Sequence, residues 1–276
     1  MSRQNPDIVR VSTGIRELDS ALEGGIPKGS WVAITGEPGT GKSILCMHYA
    51  WAGVLGGDPV VYVTTEAEFR DVLRQAKMFG MDFESYRLHD ISRGELPVET
   101  PDVVVIDLFG LLKIARQMTE QAQLDTEALK KKRYAALDIQ TLIAAIHEAY
   151  RILGVLRDDK AKSPYRHVRL IIDSLSAFWA DKPAMARKYS YDLKIATHRE
   201  NVTAYLVSQY AMTTRSTFGF GLEHIADGVF HLWMEDVEST REVKRYMIIK
   251  KMRMTNHKRT AFKLEISPGK GIILSD

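Results

Sequence analysis

Short, near-continuous apolar runs recur along the chain at Trp31–Thr35, Val60–Thr64, Val103–Leu108, Arg169–Asp173 and Ala204–Ser208. Strands of a parallel sheet read this way, because helices cover both faces and no position needs to be polar. Between these runs the apolar residues fall at helical intervals. The spacing predicts helices over Ile15–Leu22, Lys42–Leu55, Glu68–Phe79, Ile139–Leu153 and Arg187–Arg199. Alternation of this kind predicts an α/β fold with a mostly parallel, twisted sheet flanked by helices. After Gly228 the rhythm changes to consecutive strands, Val229–Met234, Val243–Lys251 and Thr260–Ile266, expected as antiparallel additions at the C-terminal edge of the sheet.

Two segments break the alternation. Residues 110–137 form a long polar, helix-patterned excursion that includes Lys130, Lys131, Lys132 and Arg133, and 157–166 is a charged loop. The first is too short for a core of its own, so it is expected as an insertion in a single domain spanning 1–276. Composition agrees with one soluble domain: 45% of residues are hydrophobic and 26% charged, enough for a large core under a solvated surface. The formal charge of +3 neither demands nor excludes a nucleic acid partner. The single cysteine, Cys46, rules out an intrachain disulfide and reads as a small buried hydrophobe. The first residues carry no basic-then-apolar signal pattern, and no apolar run reaches membrane-spanning length. These features point to a cytoplasmic protein without a membrane partner.

The strongest chemical signal is Gly36-Glu37-Pro38-Gly39-Thr40-Gly41-Lys42-Ser43, a complete G-x-x-x-x-G-K-[ST] phosphate-binding loop. A triphosphate needs several backbone N–H groups aimed into one concavity, and glycines permit that turn. The following helix adds its N-terminal dipole. Lys42 is positioned to reach the terminal phosphates of ATP and Ser43 to hold Mg²⁺; Ile44 completes the candidate binding set. An apolar strand before the loop and a helical pattern after it supply the required context.

Two further acids are candidates for chemistry. Asp173 ends an apolar strand, where a carboxylate can hold Mg²⁺ through water. Asp107 ends a similar run; Asp173 is preferred because a long helix precedes its strand and Ser-Leu follows it. Glu66 follows the strand next after the phosphate-loop helix, a place from which a carboxylate can orient the attacking water. Its neighbour Glu68 better fits an acid stabilising a helix N-terminus.

Taken in order, Thr13-Gly14-Ile15 to Leu18-Asp19, Gly24-Gly25-Ile26-Pro27-Lys28-Gly29 and the phosphate loop resemble the RecA/RadA/KaiC superfamily of ATPases. His224-Ile225-Ala226-Asp227-Gly228-Val229 and Lys251-Met252-Arg253-Met254-Thr255-Asn256-His257 resemble the KaiC branch, in a single-domain, archaeal-type form. The resemblance runs from about Val11 to Ile273, excepting 110–137. It implies a RecA-like core and roles for particular residues. Glu66 matches the catalytic glutamate, Arg70 an arginine near the adenine, and Gln209 a glutamine sensing the γ-phosphate. Lys251 and Arg253 match a K-x-R pair that reaches a neighbouring subunit's nucleotide; the residues alone read equally as a solvated edge strand.

The sequence also departs from the family. Ala67 stands where KaiC domains often carry a second glutamate, which bears on rate. Glu223 and His224 replace the Ser and Thr that are phosphorylated in the self-phosphorylating KaiC half, so that modification is not expected. The resemblance implies a homo-oligomer, most simply a hexameric ring. The stretch from Tyr210 to Leu222, with Arg215, Phe218 and Phe220, has the charge and aromatic character used on single-stranded DNA, or serves as a lid or subunit contact. Three readings stay open: a slow ATPase on single-stranded DNA in recombination or repair, a signalling ATPase that docks protein partners, and a nucleotide-binding scaffold with little turnover.

Overall fold

The structure, a computed structural model, describes residues 8–94, 98–122, 138–155, 167–178, 185–209, 221–235 and 242–276. Within them ten strands form one sheet in the order β12-β11-β10-β9-β3-β8-β7-β4-β6-β5. The parallel part comprises β3 (Trp31–Gly36), β4 (Val60–Thr64), β5 (Leu88–Asp90), β6 (Val103–Asp107), β7 (Val168–Asp173), β8 (Val202–Gln209) and β9 (Gly228–Met234). The antiparallel strands β10 (Arg245–Met252), β11 (Phe262–Ser267) and β12 (Gly271–Ser275) extend it from β9. A separate two-stranded sheet pairs β1 (Arg10–Val11) with β2 (Ile26–Pro27). The expected α/β class, parallel centre and antiparallel C-terminal edge are all present.

The helices are α1 (Arg16–Ala21), α2 (Lys42–Gly56), α3 (Phe69–Met78), α4 (Leu108–Ala122), α5 (Ile139–Ile152), α6 (Ala186–Thr197) and the one-turn α7 (Leu222–Ile225). Strand periodicity divides the core between them. Ile34, Tyr62, Ile171, Tyr205 and Phe230 point to the layer containing α2 and α3. Ala33, Val61, Val63, Leu170 and Leu206 point to the layer of α5 and α6. Both layers are apolar, hence the near-continuous strand runs.

One strand end needs correction. The run expected to reach Leu108 stops at Asp107, because Leu108 begins α4 and the Asp107 carboxylate accepts the Gly110 N–H at 2.7 Å. The helix α4 forms the first part of the 110–137 excursion. Residues 123–137, with the four basic residues, and the charged loop 157–166 lie outside the described residues.

At the sheet end away from the phosphate loop lies a buried polar cluster. Arg169 is 3% exposed; its Nη1 donates to the Ser12 carbonyl at 2.7 Å and the Tyr49 carbonyl at 2.9 Å, and its Nε to Asp58 at 3.2 Å. His167 bridges Asp58 (3.1 Å) and the Thr203 hydroxyl (2.8 Å). A buried guanidinium is tolerable only with its donors engaged in this way. The cluster fastens the N-terminal segment, α2, β7 and β8 together.

Candidate nucleotide site

The loop between β3 and α2 takes its shape from its glycines. Gly36 has φ +144°, and a Cβ there would lie 2.0 Å from the Leu232 carbonyl oxygen, so no side chain fits. Gly41, at φ +103°, is the N-cap of α2. The Thr40 hydroxyl closes the turn on the Glu37 carbonyl at 2.8 Å. The Lys42 ammonium folds onto the same carbonyl at 2.5 Å. Burial lowers the Lys42 pKa to about 8, against the opposing pull of Asp173 and Glu66. A lysine so placed lacks a full counter-charge, and an anion in the loop would supply it.

Three strand ends meet beside this loop. β4 lies between β6 and β7, with Thr64 level with both Asp107 and Asp173. The two aspartates nevertheless do different work. Asp107 accepts the N–H groups of Phe69 (2.9 Å) and Gly110 (2.7 Å), tying the starts of α3 and α4 to β6. Asp173 hydrogen-bonds Ser43; burial, with Glu66 nearby, raises its pKa to about 6 despite that bond and the Lys42 charge.

Glu66 sits at the same junction. The Thr65 N–H donates to the Asp173 carbonyl at 3.1 Å, and the Thr65 hydroxyl to the Ser174 carbonyl at 2.8 Å, locking the end of β4 to the end of β7. The Ser174 hydroxyl then donates to Glu66 Oε1, and Gln209 Nε2 donates to Oε2 at 2.6 Å. Gln209 is fixed in turn through its N–H on the Ser176 hydroxyl at 2.8 Å. A cleft of about 310 Å³ opens here, lined by Ser43, Met47, Glu66, Asp71, Gln75 and Asp173 among others. The structure thus brings together Lys42, Ser43, Asp173, Glu66 and Gln209.

Other expected residues lie elsewhere. Arg70 is exposed, pairs with Glu68 at 2.8 Å, and borders a different hollow with Asp90 and Arg93; the described geometry does not bring it to the phosphate loop. Glu68 occupies the N-cap position of α3 and also pairs with Lys113, as expected of an acid at a helix start. Lys251 and Arg253 lie at the far end of β10, beside the start of β9. The stretch carrying Arg215, Phe218 and Phe220 lies outside the described residues.

Two contributors escaped the sequence reading. Ser174 orients Glu66, and the Asp-Ser pair at the end of β7 was its available signal. Arg245, at the near end of β10, donates through Nε to the Gly39 carbonyl at 3.0 Å. It places a cation against the phosphate loop from the same chain, yet no local pattern distinguishes it from its basic neighbours.

The geometry is that of a nucleotide-binding core, and comparison with known proteins agrees. The family model described as KaiC ATPase matches residues 11–95 and 110–276. The chain belongs to the KaiC ATPase family. The matched residues run through 110–137, the segment set apart above as an insertion. A UPF0273 protein of Aeropyrum pernix is 34% identical over 268 residues, 96% of this chain and 93% of the relative. A UPF0273 protein of Thermotoga maritima is 31% identical over 270 residues, covering 97% and 96%. The crystal structure of a KaiC-like protein from Pyrococcus horikoshii matches with a TM-score of 0.69 and 26% identity, covering 98% of this chain and all of that one. The KaiC assignment makes this a nucleotide-binding, RecA-like protein. No helix among the described residues is long and apolar enough to cross a membrane.

Proposed function

We propose that the protein binds ATP with Mg²⁺ at the loop 36–43 and hydrolyses it slowly within a homo-oligomer. The observation that carries this reading is the placement of Glu66. Its carboxylate is held by Ser174 and Gln209 at a cleft that Ser43 and Asp173 also line, directly beside the phosphate loop. The donor set fits the metal that such a reaction uses. Among the described residues no cluster of three or more His, Cys, Asp or Glu could hold a metal by itself. Ser43 and Asp173 form instead a sparse site that phosphate oxygens and water complete. Magnesium bound there would neutralise charge on the phosphate oxygens.

The chain's own residues do the rest. Lys42 exchanges the Glu37 carbonyl for phosphate, and the backbone N–H groups of the loop and α2 cradle it. Arg245 adds a second cation at Gly39. Glu66 accepts the proton of a water aligned on the terminal phosphate, and the Gln209 amide stands where it can turn between Glu66 and that phosphate. Calorimetry should show Mg²⁺-dependent ATP binding, and Glu66→Gln should keep binding while losing turnover. Folded wild-type protein that ignores Mg·ATP would defeat the reading.

Strand register supports a ring in which Lys251 and Arg253 act on a neighbour's nucleotide. Arg253 N–H bonds the Asp227 carbonyl, and Asp227 N–H bonds the Trp31 carbonyl, at the opposite end of β3 from Gly36. From residue 31 to 36 is roughly 17 Å of strand, so neither side chain reaches its own phosphate loop. Light scattering with Mg·ATP tests assembly. The class of partner, single-stranded DNA in recombination or repair against a docked protein, is decided by whether DNA binding occurs and weakens with salt.

A further inference from the structure

Away from the nucleotide cleft, the carboxylate of Asp227 gathers three donors from three separate stretches of the chain. Its Oδ2 accepts the Trp31 N–H at 3.0 Å and the Lys194 ammonium at 3.2 Å; its Oδ1 accepts Arg253 Nη1 at 3.1 Å. Its backbone joins the same elements, with its N–H on the Trp31 carbonyl (2.7 Å) and its carbonyl taking the Arg253 N–H (2.9 Å). Lys251 is held close by: its Nζ donates to the Ala226 carbonyl at 2.5 Å and the Glu223 carbonyl at 3.3 Å. Lys194 donates to the Ile225 carbonyl at 2.7 Å and lies over the Trp31 ring, 5.7 Å from its centroid.

Burial separates the members of this cluster. The Asp227 side chain is 17% exposed and Lys194 22%, whereas Arg253 remains 57% exposed. Arg253 is therefore held at one nitrogen on an anchored carboxylate while more than half of its side chain stays exposed. A merely solvated arginine would sample many rotamers, and ordering it on docking would cost rotamer freedom. A charge-assisted bond to a carboxylate that is itself fixed by a backbone N–H and a lysine removes much of that cost in advance.

We propose that Asp227 is a positioning residue for the trans-acting pair: it pre-orients Arg253 for the neighbouring subunit's nucleotide and ties it to the first residue of β3. Because β3 runs from Trp31 directly into the phosphate loop at Gly36, one strand links the cation a subunit gives to its neighbour with the loop that holds its own nucleotide. This inference rests on the trans reading of Arg253 given above.

The test uses full-length protein and mixed assemblies. Asp227→Ala should bind Mg·ATP at its own intact loop with wild-type affinity, yet lose turnover by about 10²-fold, as for a catalytic group misplaced by about 1 Å. Asp227→Asn keeps an oxygen for the Trp31 N–H but turns a donor toward Arg253 in place of Oδ1; it should keep the fold yet still lose turnover, which preserves the test should the alanine variant misfold. Mixing either variant with Glu66→Gln should restore activity, because such assemblies contain sites with an intact Glu66 from one subunit and a well-placed Arg253 from the next. A purely structural defect would disable the variant's own site and give no rescue. Glu66→Gln mixed with Arg253→Ala is the reference: no rescue there overturns the trans reading and this inference together. Rescue with Arg253→Ala but with neither Asp227 variant, or wild-type turnover in both Asp227 variants, overturns the role of Asp227 alone.

Discussion

Gln209 donates its side-chain amide to Glu66 across 2.6 Å, joining the ends of β8 and β4, which β7 separates in the sheet. With Ser174 on the other oxygen, both oxygens of the proposed water-orienting carboxylate are engaged. Each oxygen keeps a second lone pair that a water can occupy, and the two donors fix the direction in which the carboxylate presents it. Gln209→Ala should therefore keep Mg·ATP affinity while lowering kcat, and Glu66→Gln should lower it further, by about 10²–10⁴ as for a lost general base. Single-turnover hydrolysis measures both. A Glu66→Gln variant as active as wild type would move the role to another group, Glu68 first.

Lys42 makes nucleotide binding proton-linked. Its pKa is lowered to about 8 chiefly by burial. A bound phosphate favours the charged form and carries the pKa back toward the ordinary lysine range. Between about pH 8 and 10, ATP binding should take up protons, and affinity should weaken as pH rises through that window. Calorimetry at pH 8.5 in buffers of differing ionisation enthalpy reads the uptake directly. Lys42→Met should abolish it; the same proton stoichiometry in that variant would contradict the assignment.

Asp173 predicts a trade between stability and function. Burial raises its folded pKa to about 6, above the usual carboxylate value near 4, so between these pH values the folded state binds more protons than the unfolded. Its contribution to stability consequently declines as pH rises from 4 to 6, and at pH 7 the ionised group is held at a cost. Because its side chain keeps partial access to the cleft, the relief in Asp173→Asn should be about 1–2 kcal/mol. Urea unfolding should show a more stable apoprotein that no longer binds nucleotide in a Mg²⁺-dependent way. An Asn variant no more stable than wild type at pH 7 would contradict this.

Most of the parallel core was legible because burial on both faces leaves a plain signature, and Val60–Thr64 was bounded correctly. The turn at 36–43 between strand and helix was legible because a phosphate-binding pattern restricts residue type and spacing together, and Asp173 was read as a strand end, where it lies. What stayed hidden depends on tertiary placement. β1 and β2 contain two residues each and carry no periodicity, and Gly271–Ser275 follows a tight turn past the point where the strand pattern was read as ending. Arg245 and Asp227 gain their partners from strand register, separated from Gly39 and Arg253 by 206 and 26 positions. Glu66 could be picked as an acid near a strand end, but its hold by Ser174 and Gln209 required the sheet to be assembled.

His48 makes the C-terminal hairpin acid-sensitive. This α2 side chain is 9% exposed, and its Nε2 accepts the Ile272 N–H at 2.9 Å, so the imidazole must be neutral to hold β12. Gly271 makes the approach possible, since a Cβ there would lie 2.3 Å from the same nitrogen. Burial lowers the His48 pKa to about 4, against about 6.5 for an unfolded histidine. The unfolded chain thus binds more protons between pH 6.5 and 4, and stability falls as pH drops through that window. The loss approaches about 3 kcal/mol at pH 4, at 1.36 kcal/mol per pH unit of separation. His231, whose pKa is also lowered to about 4 by burial, acts in the same direction, and Asp173 in the opposite one. Urea midpoints at pH 7, 6, 5 and 4.5 should fall in wild type and fall less steeply in His48→Gln, whose amide oxygen can still accept the Ile272 N–H but cannot titrate. Parallel slopes in the two proteins would remove His48 as the acid-sensitive group and leave the dependence to His231.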